Sequence, residues 1–365
     1  MARKLSADKC LFGVTVALVL IGVIMVFSAS AVLANDKFHS PLYFLVRQGL
    51  WALLGLAGMA TLMHVDYRCY RRPSLIYTGL FVCAVLLVAV FFLDKNHNTH
   101  RWIRLGFLSF QPSELSKLFI VVYLACFLEK RMGQIDDWRH TLLPCLVVVL
   151  PFIGLIVTEP DLGTAVSIGI VAFMVLFVAG VRYKYALGLI LSAVPVLFAL
   201  VYFFPYRLKR VLVFLDPWKD PLGAGFQITQ SLIAFGSGGL FGLGLMEGKQ
   251  KLFYLPEPHT DFIFSVIGEE GGLAGTLSLL LLFSVFLGRG MWLSLRMSDP
   301  FGRYLGVGLT MMIVCQAFIN MSVVTSLLPT KGIPLPFISS GGSSLLTSLL
   351  GVGVLLNISQ HGSDA

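Results

Sequence analysis

Charged residues are scarce in this chain of 365 residues. Asp, Glu, Lys and Arg make up 13% of it, whereas a soluble domain carries about 25%. The hydrophobic share of 57% and the mean hydropathy of +0.85 exclude an ordinary soluble domain. They also exclude an intrinsically disordered chain, because disorder requires low hydrophobicity.

Cysteine and histidine patterns typical of metal sites are missing as well. None of the six cysteines has C-x-x-C spacing, and we interpret them as small apolar packing residues. His97 and His100 have H-x-x-H spacing, but their loop supplies no third ligand, so we interpret them as solvated histidines.

Long apolar runs occupy most of the chain. A helix of about 20 apolar residues crosses the roughly 30 Å of hydrocarbon in a bilayer, whereas the strands of a membrane barrel are shorter and alternate. We therefore predict an all-α membrane protein, a polytopic bundle of ten transmembrane helices in one domain over residues 1–365. A long extracytoplasmic loop, 205–260, separates spans 7 and 8. The predicted spans are 11–33, 43–64, 74–93, 113–129, 141–158, 162–180, 185–204, 261–287, 304–328 and 337–359.

Lys and Arg residues in the short loops predict the orientation. With the N-terminus inside, segments such as 68–72 and 130–139 lie inside and carry most of these residues. We therefore predict a bacterial cytoplasmic (inner) membrane protein with both termini in the cytoplasm. The net charge of +8 then reflects retention at the inner surface, and we expect no nucleic-acid partner.

Asp261 stands where the long loop enters the eighth span. A carboxylate at a water–lipid boundary is costly unless it has a function or a partner. Pro256 and Pro258 precede it and stiffen its approach to the membrane. The sequence therefore predicts that Asp261 is a catalytic base facing the outer surface.

The long loop has three further features. Residues 206–215 mix basic and apolar residues and predict a helix in the membrane interface, which serves either as an anchor or to attract an anionic lipid. Residues 216–231 predict a folded re-entrant turn that presents Gln227, Gln230 and Ser231 to sugar hydroxyls. The glycine-rich run 236–244 offers backbone N–H groups that can cradle phosphate. It lacks the Gly-Lys-Ser/Thr ending of a nucleotide loop, so close backbone packing is its favoured role.

Charged residues also fall inside predicted spans. Glu114 and Lys117 share one helix face, where they either pair structurally or contact substrate. Glu269 and Glu270 lie about two turns below Asp261 and need neutralisation, protonation or a polar cavity.

Polar motifs also flank the spans on the predicted outer side. Arg101 and Arg104 border the fourth span, where they serve either as anchors or as substrate contacts. The turn 159–161 either serves only as a tight turn between two spans or carries out acid–base work or cation binding. Residues 331–344 form either a tight wall around a lipid-borne group or a plain helix entry.

Six motifs follow one another along the chain: RWIRLG (101–106), FQPSELSK (110–117), EPDLGT (159–164), QITQS (227–231), YLPEPHTDFIF (254–264) and LPFISSGGSS (335–344). Together they resemble the SEDS family of cell-wall polymerases, whose members serve shape, elongation, division and sporulation. Segments 256–259 and 328–332 are similar to the division type, FtsW, and segment 332–336 to the elongation type, RodA. Ser326 and Ser340 replace the Gly and Tyr usual in the family.

The resemblance implies a peptidoglycan glycosyltransferase that polymerises lipid II into glycan strands on the outer face of the membrane. The family carries an essential Asp in a His-Thr-Asp-Phe motif, which matches Asp261. As a general base, Asp261 would take the proton of the acceptor 4-hydroxyl while that hydroxyl attacks the donor anomeric carbon. An α-linked donor and a β-linked product imply inversion in one step, with undecaprenyl pyrophosphate as the leaving group.

Cations must stabilise the pyrophosphate as it leaves. The resemblance implies that a divalent cation, Mg²⁺ or Mn²⁺, shares this role, but the sequence shows no ligand set for it. The predicted substrate-binding residues are Arg101, Arg104, Glu114, Lys117, Arg207, Arg210, Gln227, Gln230, Ser231, His259, Lys331 and Ser343.

Two other functions compete with polymerisation. A lipid II flippase would need polar groups along a path across the membrane, whereas the polar motifs gather at the predicted outer side. A scaffold for division proteins would leave the position of Asp261 unexplained. Both rank below the polymerase, and the flippase ranks above the scaffold.

The resemblance also implies partners. These are a cognate class B penicillin-binding protein, with one span and an external transpeptidase domain, and other membrane proteins of the division or elongation machinery. We expect the partner's span to pack on the last two spans, where Gly306, Gly308, Gly351 and Gly353 offer small surfaces.

Overall fold

A computed structural model describes residues 6–94, 101–105, 108–252 and 254–361, so that His97 and His100 lie outside the described residues. The antiparallel strands β1 (Ile103–Leu105) and β2 (Leu108–Phe110) form a hairpin. The α-helices are α1 (Lys9–Phe38), α2 (Tyr43–His64), α3 (Pro73–Leu93), α4 (Pro112–Lys130), α5 (Leu143–Thr158), α6 (Leu162–Ala179), α7 (Tyr183–Tyr202), α8 (Pro205–Leu215), α9 (Phe226–Gly238), α10 (Ile263–Leu295), α11 (Pro300–Val324) and α12 (Gly342–Ser359).

Within the described residues, nine helical segments are long and apolar enough to cross a membrane. Helix α4 is the tenth long helix, but Glu114, Lys117, Glu129 and Lys130 lower its hydropathy. It packs against α3, α6 and α11 inside the bundle, where neighbouring helices can satisfy its polar groups. The chain is therefore the polytopic all-α membrane protein that the sequence predicts.

Local sequence sets where several helices begin. Helices α3, α4, α8 and α11 start with proline, which has no N–H to lose at the first helical position. An aspartate caps α6, because the Asp161 side chain accepts a hydrogen bond from the Thr164 N–H at 3.1 Å. This cap fixes the carboxylate of Asp161 at the start of α6.

The last two long helices lie in the interior of the bundle. The buried share of their apolar stretches is 78% for α11 and 83% for α12, against 6% for α7. A Cβ on Gly353 would lie 2.7 Å from the carbonyl oxygen of Met59, and one on Gly308 would lie 2.4 Å from a Val121 methyl group. The predicted docking face at Gly306, Gly308, Gly351 and Gly353 is therefore wrong, because these glycines pack helices of the same chain together.

The last two predicted spans, 304–328 and 337–359, have shifted boundaries, and prolines explain the late start of the last one. Apolar residues 333–338 look like the start of a span, but Pro334 and Pro336 prevent a helix there. Leu335, Phe337 and Ile338 are instead buried in a loop that folds back into the bundle. The tenth span therefore begins at Gly342, while the ninth ends at Val324.

The segment 205–260 contains two helices rather than a simple loop. The helix predicted over 206–215 is present as α8. Its Arg207 and Arg210 were expected to face lipid head groups. Their side chains instead donate to the carbonyls of Val157 and Thr330, respectively, each at 3.2 Å. A re-entrant turn was predicted over residues 216–231. The part of the segment that folds back onto the bundle is instead helix α9 with the turn after it, and both pack along α10.

Candidate active site

Asp261 lies in the last turn before α10, and the end of the bundle around it is called the Asp261 end below. Its main chain is fixed, because the buried Asn320 side chain donates to the carbonyls of Asp261 and Ile333 at 2.8 and 2.7 Å. Its carboxylate keeps partial exposure. Among the described residues, none donates a hydrogen bond to this carboxylate, so it is free to accept a proton.

Other carboxylates at the Asp261 end differ from it in pairing or exposure. Asp161 is buried and accepts hydrogen bonds from Gln111, at 3.0 Å, and from Thr164. Glu159 has no exposed surface and no hydrogen-bond partner among the described residues. Glu257 is largely in solvent, with 61% of its side chain exposed. Among these four described carboxylates, Asp261 is therefore the one that is partly buried and yet accepts no hydrogen bond.

Burial shifts the titration of several groups here. It raises the pKa of Asp261 to about 6, nearby Asp161 adds to the rise, and Arg101 and Arg210 oppose it. Burial likewise raises the pKa of Glu159 to about 8, so this carboxyl is mostly protonated at pH 7. It lowers the pKa of Lys331 to about 8, with Asp161 opposing the drop.

Four basic side chains from three parts of the chain lie at this end. Arg101 donates to the carbonyls of Glu159 and Pro160, which ties the start of the hairpin to the α5–α6 turn. Arg207 and Arg210 of α8 lie over the rings of Phe204 and Tyr206 at 4.5 and 4.4 Å from the ring centroids.

Lys331 completes this basic group from the loop before α12. Its charge interacts with those of Asp161, Arg207 and Arg210. The Asp261 carboxylate therefore faces a group of cations rather than one ion-pair partner, an arrangement that suits a substrate with several negative charges.

A cavity of about 410 Å³ lies beside the Asp261 loop, between the start of α2, the β1–β2 hairpin and the loop before α12. Aromatic faces and polar groups alternate on its wall. The lining residues are Tyr43, Phe44, Arg47, Gln48, Trp51, Trp102, Arg104, Ser109, His259, Thr260, Ser340, Gly341 and Gly342.

Two buried polar atoms of the cavity residues lack partners among the described residues. They are Nε1 of Trp51 and Nδ1 of His259, whose residues are 6% and 3% exposed. Burial lowers the pKa of His259, so its ring is neutral at pH 7. With Arg47 and Arg104 beside them, these groups suit a polar, anionic ligand that also offers an apolar face.

Gly332 is packed directly against the Asp261 carboxylate. A Cβ at this position would lie 2.5 Å from Oδ2 of Asp261, which is closer than a real Cβ contact. Gly332 is otherwise exposed, so its lack of a side chain serves the position of the carboxylate rather than core packing.

Similarity to known proteins assigns the chain to a family. The sequence model of the family described as cell cycle protein, named for FtsW, RodA and SpoVE, matches residues 8–364. This chain belongs to the FtsW/RodA/SpoVE family. A probable peptidoglycan glycosyltransferase FtsW of Geobacter sp. (strain M18) is 45% identical over 360 residues, which cover 98% of each chain.

Two further relatives support the assignment. Stage V sporulation protein E of Bacillus subtilis is 44% identical over 362 residues, 98% of each chain. A chain in a solved structure described as structural coordination of polymerization and crosslinking by a peptidoglycan synthase complex is 33% identical, with a TM-score of 0.79. That match covers 97% of this chain and 98% of the other. The predicted resemblance to the SEDS family is thus confirmed over nearly the whole length.

Glu114 and Lys117 form a buried pair that is separate from the cation group of this family member. Their side chains are 2.8 Å apart and at most 4% exposed. Lys117 also donates to Gln316 at 2.5 Å, and Gln316 in turn donates to the Pro334 carbonyl and the Ser344 hydroxyl. These contacts connect α4, α11 and the loop before α12, which favours the structural alternative for the pair.

We therefore expect Lys117→Met to lower thermal stability more than the double variant Glu114→Gln/Lys117→Met. The single change leaves a buried carboxylate unpaired, which costs about 3–5 kcal/mol, whereas the double change removes both charges. Melting curves of the purified variants measure this. Equal melting temperatures for the single and double variants would contradict the structural role.

Several predicted substrate contacts do not line the cavity beside the Asp261 loop. Ser231 is fully buried and bonds to Ser265 and the Val324 carbonyl at 2.7 and 2.6 Å, so it holds α9 against α10 and α11 instead of binding sugar. Ser343 is fully buried and accepts from the Gln111 N–H at 3.3 Å. Gln227 and Gln230 are half-buried on α9.

Sequence reasoning overlooked the residues of α2 that line the cavity. Arg47, Gln48 and Trp51 fall in an apolar run and were read simply as part of the second span. An arginine inside a span is by itself a signal of function. Arg47 donates to Ser109 of the hairpin at 2.7 Å, which places its guanidinium at the cavity.

The predicted divalent cation finds no ready ligand set. Across the described residues, no group of three or more His, Cys, Asp or Glu side chains could hold a metal ion. Asp161 already accepts three hydrogen bonds, and Glu159 is sealed from solvent. The cation therefore stays a prediction from the resemblance alone.

Proposed function

We propose that this protein is a peptidoglycan glycosyltransferase that polymerises lipid II, with Asp261 as the general base. One observation carries the proposal: the Asp261 carboxylate is accessible and unpaired, whereas Asp161, Glu159 and Glu114 are bonded or sealed. A base of pKa about 6 is mostly ionised at pH 7 and still binds a proton well enough to remove one.

The reaction is a single displacement. Asp261 takes the proton of the acceptor hydroxyl, whose oxygen forms the new bond to the donor anomeric carbon. The bond from that carbon to undecaprenyl pyrophosphate breaks, and its electron pair leaves with the pyrophosphate. Arg101, Arg210 and Lys331 stabilise the negative charge near the base.

The cavity beside the Asp261 loop receives one charged, glycosylated head group. Trp51 and Trp102 offer ring faces for a sugar, and Arg47 and Arg104 offer cationic hydrogen-bond donors for phosphate. Thr260 lines the cavity and directly precedes Asp261. A head group bound there lies next to the base without displacing the residues that hold it.

The proposal places the Asp261 end outside the cytoplasmic membrane, as lipid II polymerisation requires, and both termini inside. Basic residues of the opposite end support this orientation, because Arg68, Arg71, Lys130 and Arg131 cluster there. The amide of Asp8 donates to the hydroxyl of Ser359 at 3.1 Å, so α1 begins beside the end of α12.

Transport of lipid II has less support. A flippase needs polar groups that are open along a path through the bilayer. In the described part of the chain, the charged side chains of Glu114, Lys117, Glu269 and Glu270 are instead buried in hydrogen bonds and ion pairs. These contacts favour a fixed catalytic site over an alternating path.

The proposal includes a class B penicillin-binding protein as partner. The similar chain described in a peptidoglycan synthase complex supports such a pairing. The partner's single span must use lipid-facing surface, because α11 and α12 are filled by contacts within this chain. Polymerisation should therefore be measured with the chain alone and with its cognate transpeptidase.

The pH dependence of polymerisation tests the assignment of the base. The rate of polymerisation should fall as the pH drops through about 6, because protonated Asp261 cannot take the proton from the hydroxyl of the acceptor sugar. Arg101 opposes the raised pKa of Asp261, so Arg101→Gln should move the midpoint to higher pH. Initial rates measured from pH 4.5 to 8, in steps of about half a pH unit, give the midpoints for the wild type and for Arg101→Gln.

Arg104→Gln is the matched control for this profile. This variant removes an arginine that lines the cavity but is not among the charges that shift the pKa of Asp261. It should therefore change the rate of polymerisation but leave the midpoint of the pH profile at the wild-type value. A wild-type rate that stays constant down to pH 4.5 would count against Asp261 as the base.

A further inference from the structure

Helix α10 is interrupted at Gly272, whose φ of 62° and ψ of −159° are not helical. The break removes the helical partners of the Glu269 and Glu270 carbonyls and of the amides at 273–274. Residues 239–244 replace those bonds: two of their N–H groups donate to the carbonyls, and two of their carbonyls accept from the amides, all at 2.9–3.1 Å. The turn after α9 is thus bonded into α10.

Glycines make this close approach possible. A Cβ on Gly238 or Gly242 would lie 2.0 Å from the carbonyl oxygen of Gly268 or Glu270. Gly242 also has a φ of 80°, which other residues rarely adopt. The glycine-rich run therefore packs backbone against backbone, which is the favoured of its two predicted roles.

The side chain of Glu270 is held by groups from three parts of the chain. Its carboxylate lies 2.6 Å from Nζ of Lys251, accepts from the Ser28 hydroxyl of α1 at 2.7 Å, and accepts from the Met246 N–H at 3.1 Å. Both members of the ion pair are at most 4% exposed. These four residues, Ser28, Met246, Lys251 and Glu270, are called the Glu270 clamp.

Glu269 strengthens the same connection. Its carboxylate accepts from the main-chain N–H groups of Lys249 and Gln250 at 2.8 and 3.1 Å. Of the fates expected for this pair, neutralisation by a cation is therefore observed for Glu270, while main-chain hydrogen bonds satisfy Glu269.

Lys251, a member of the clamp, lies ten residues before Asp261 in the chain. The other side of the intervening loop is also fixed, because Ser339 donates to the Thr260 carbonyl at 2.6 Å and the Ser340 N–H donates to the His259 carbonyl at 2.9 Å. The loop that leads from Lys251 to Asp261 is thus anchored near both of its ends.

We propose that the Lys251–Glu270 ion pair of the clamp is a positioning element for Asp261. The proposal rests on the proposed role of Asp261 as the base. A buried ion pair fixes the start of the loop that leads to the base, and small displacements of a catalytic group lower rates steeply. Lys251 and Glu270 act through the loop and do not touch the substrate.

Lys251→Met should lower kcat for lipid II about tenfold or more, because it leaves the buried Glu270 carboxylate unpaired and releases the segment. The KM should change little, since the cavity with Arg47 and Arg104 is untouched. The double variant Lys251→Met/Glu270→Gln should recover part of the lost kcat, because no unpaired charge remains. A merely structural role predicts less folded protein with an unchanged kcat per folded molecule.

Asp8→Asn is the matched control. Asp8 pairs with Arg289 at 2.6 Å and joins the same two helices, α1 and α10, at their other end. Its loss should leave kcat near the wild-type value. Wild-type kcat in Lys251→Met, or equal losses in Lys251→Met and Asp8→Asn, would overturn the proposal.

Hydrogen–deuterium exchange gives a readout that does not depend on activity. Peptides covering residues 252–262 should exchange faster in Lys251→Met than in the wild type or in Asp8→Asn. If the wild-type chain makes no glycan, the proposed function fails and this comparison alone decides the positioning role. Unchanged exchange in 252–262 would then reject it.

Discussion

Replacing Asp261 with asparagine (Asp261→Asn) should lower the rate of lipid II polymerisation by about 100-fold or more. Asparagine keeps the size of the side chain but cannot accept the acceptor proton. The fold should persist, because the main chain of Asp261 is held by Asn320 and no described residue donates a hydrogen bond to its carboxylate. Initial rates on purified protein, normalised to the folded fraction, measure the effect.

Glu257→Gln is the matched control for Asp261→Asn. Glu257 lies on the same loop and loses a negative charge in the same way, but its side chain is 61% exposed. Its rate should stay within about twofold of the wild type, since an exposed charge is screened by solvent. Equal rates for Asp261→Asn and the wild type would remove Asp261 from the mechanism.

Gly332→Ala should reduce kcat by about 10- to 100-fold. The new methyl group would lie 2.5 Å from Oδ2 of Asp261, so the carboxylate must move away from its working position. Gly332 is exposed and its backbone has no positive φ, so alanine adds little strain apart from this contact. Steady-state kinetics should show the loss in kcat while the melting temperature changes little.

Gly236→Ala is the corresponding control for Gly332→Ala. Gly236 is an exposed helical glycine of α9, and a Cβ there would meet nothing within 4 Å. Its kcat should match that of the wild type. If Gly332→Ala is as active as Gly236→Ala, the carboxylate has room to shift without loss, and the packing at Gly332 does not set its position.

Much of the architecture follows from local sequence. Hydropathy alone locates the long helices, because each must bury an apolar length close to the membrane thickness. The predicted position of Asp261 at the boundary between a loop and a span is also confirmed, because Pro256 and Pro258 disfavour a helix before it. Hydropathy and proline act over short stretches of the chain, so their effects can be predicted from a single sequence.

Long-range pairing could not be predicted in this way. Glu270 signals by its charge that it needs a partner, but nothing local identifies Lys251 or Ser28 of the first helix. The glycines of α11 and α12 show the same limit. Small residues permit close packing, but the sequence does not say whether the neighbour is another protein or Met59 of the same chain.

The cavity shows a third limit. Arg47 and Trp51 lie about one helical turn apart in α2 and become neighbours of Arg104 and His259 only through the tertiary fold. Their apolar surroundings hid them within a span. A rule that gives weight to each charged residue inside a span would have found Arg47.

The most direct test of the polymerase assignment is to give the purified chain lipid II in detergent, where there are no leaflets between which to transport it. Strand lengths are resolved on a gel, with and without the cognate transpeptidase. The account predicts glycan strands from the wild type and at most traces from Asp261→Asn. Absence of strands in both conditions, together with translocation of labelled lipid II by the same protein in vesicles, would contradict it and favour a flippase.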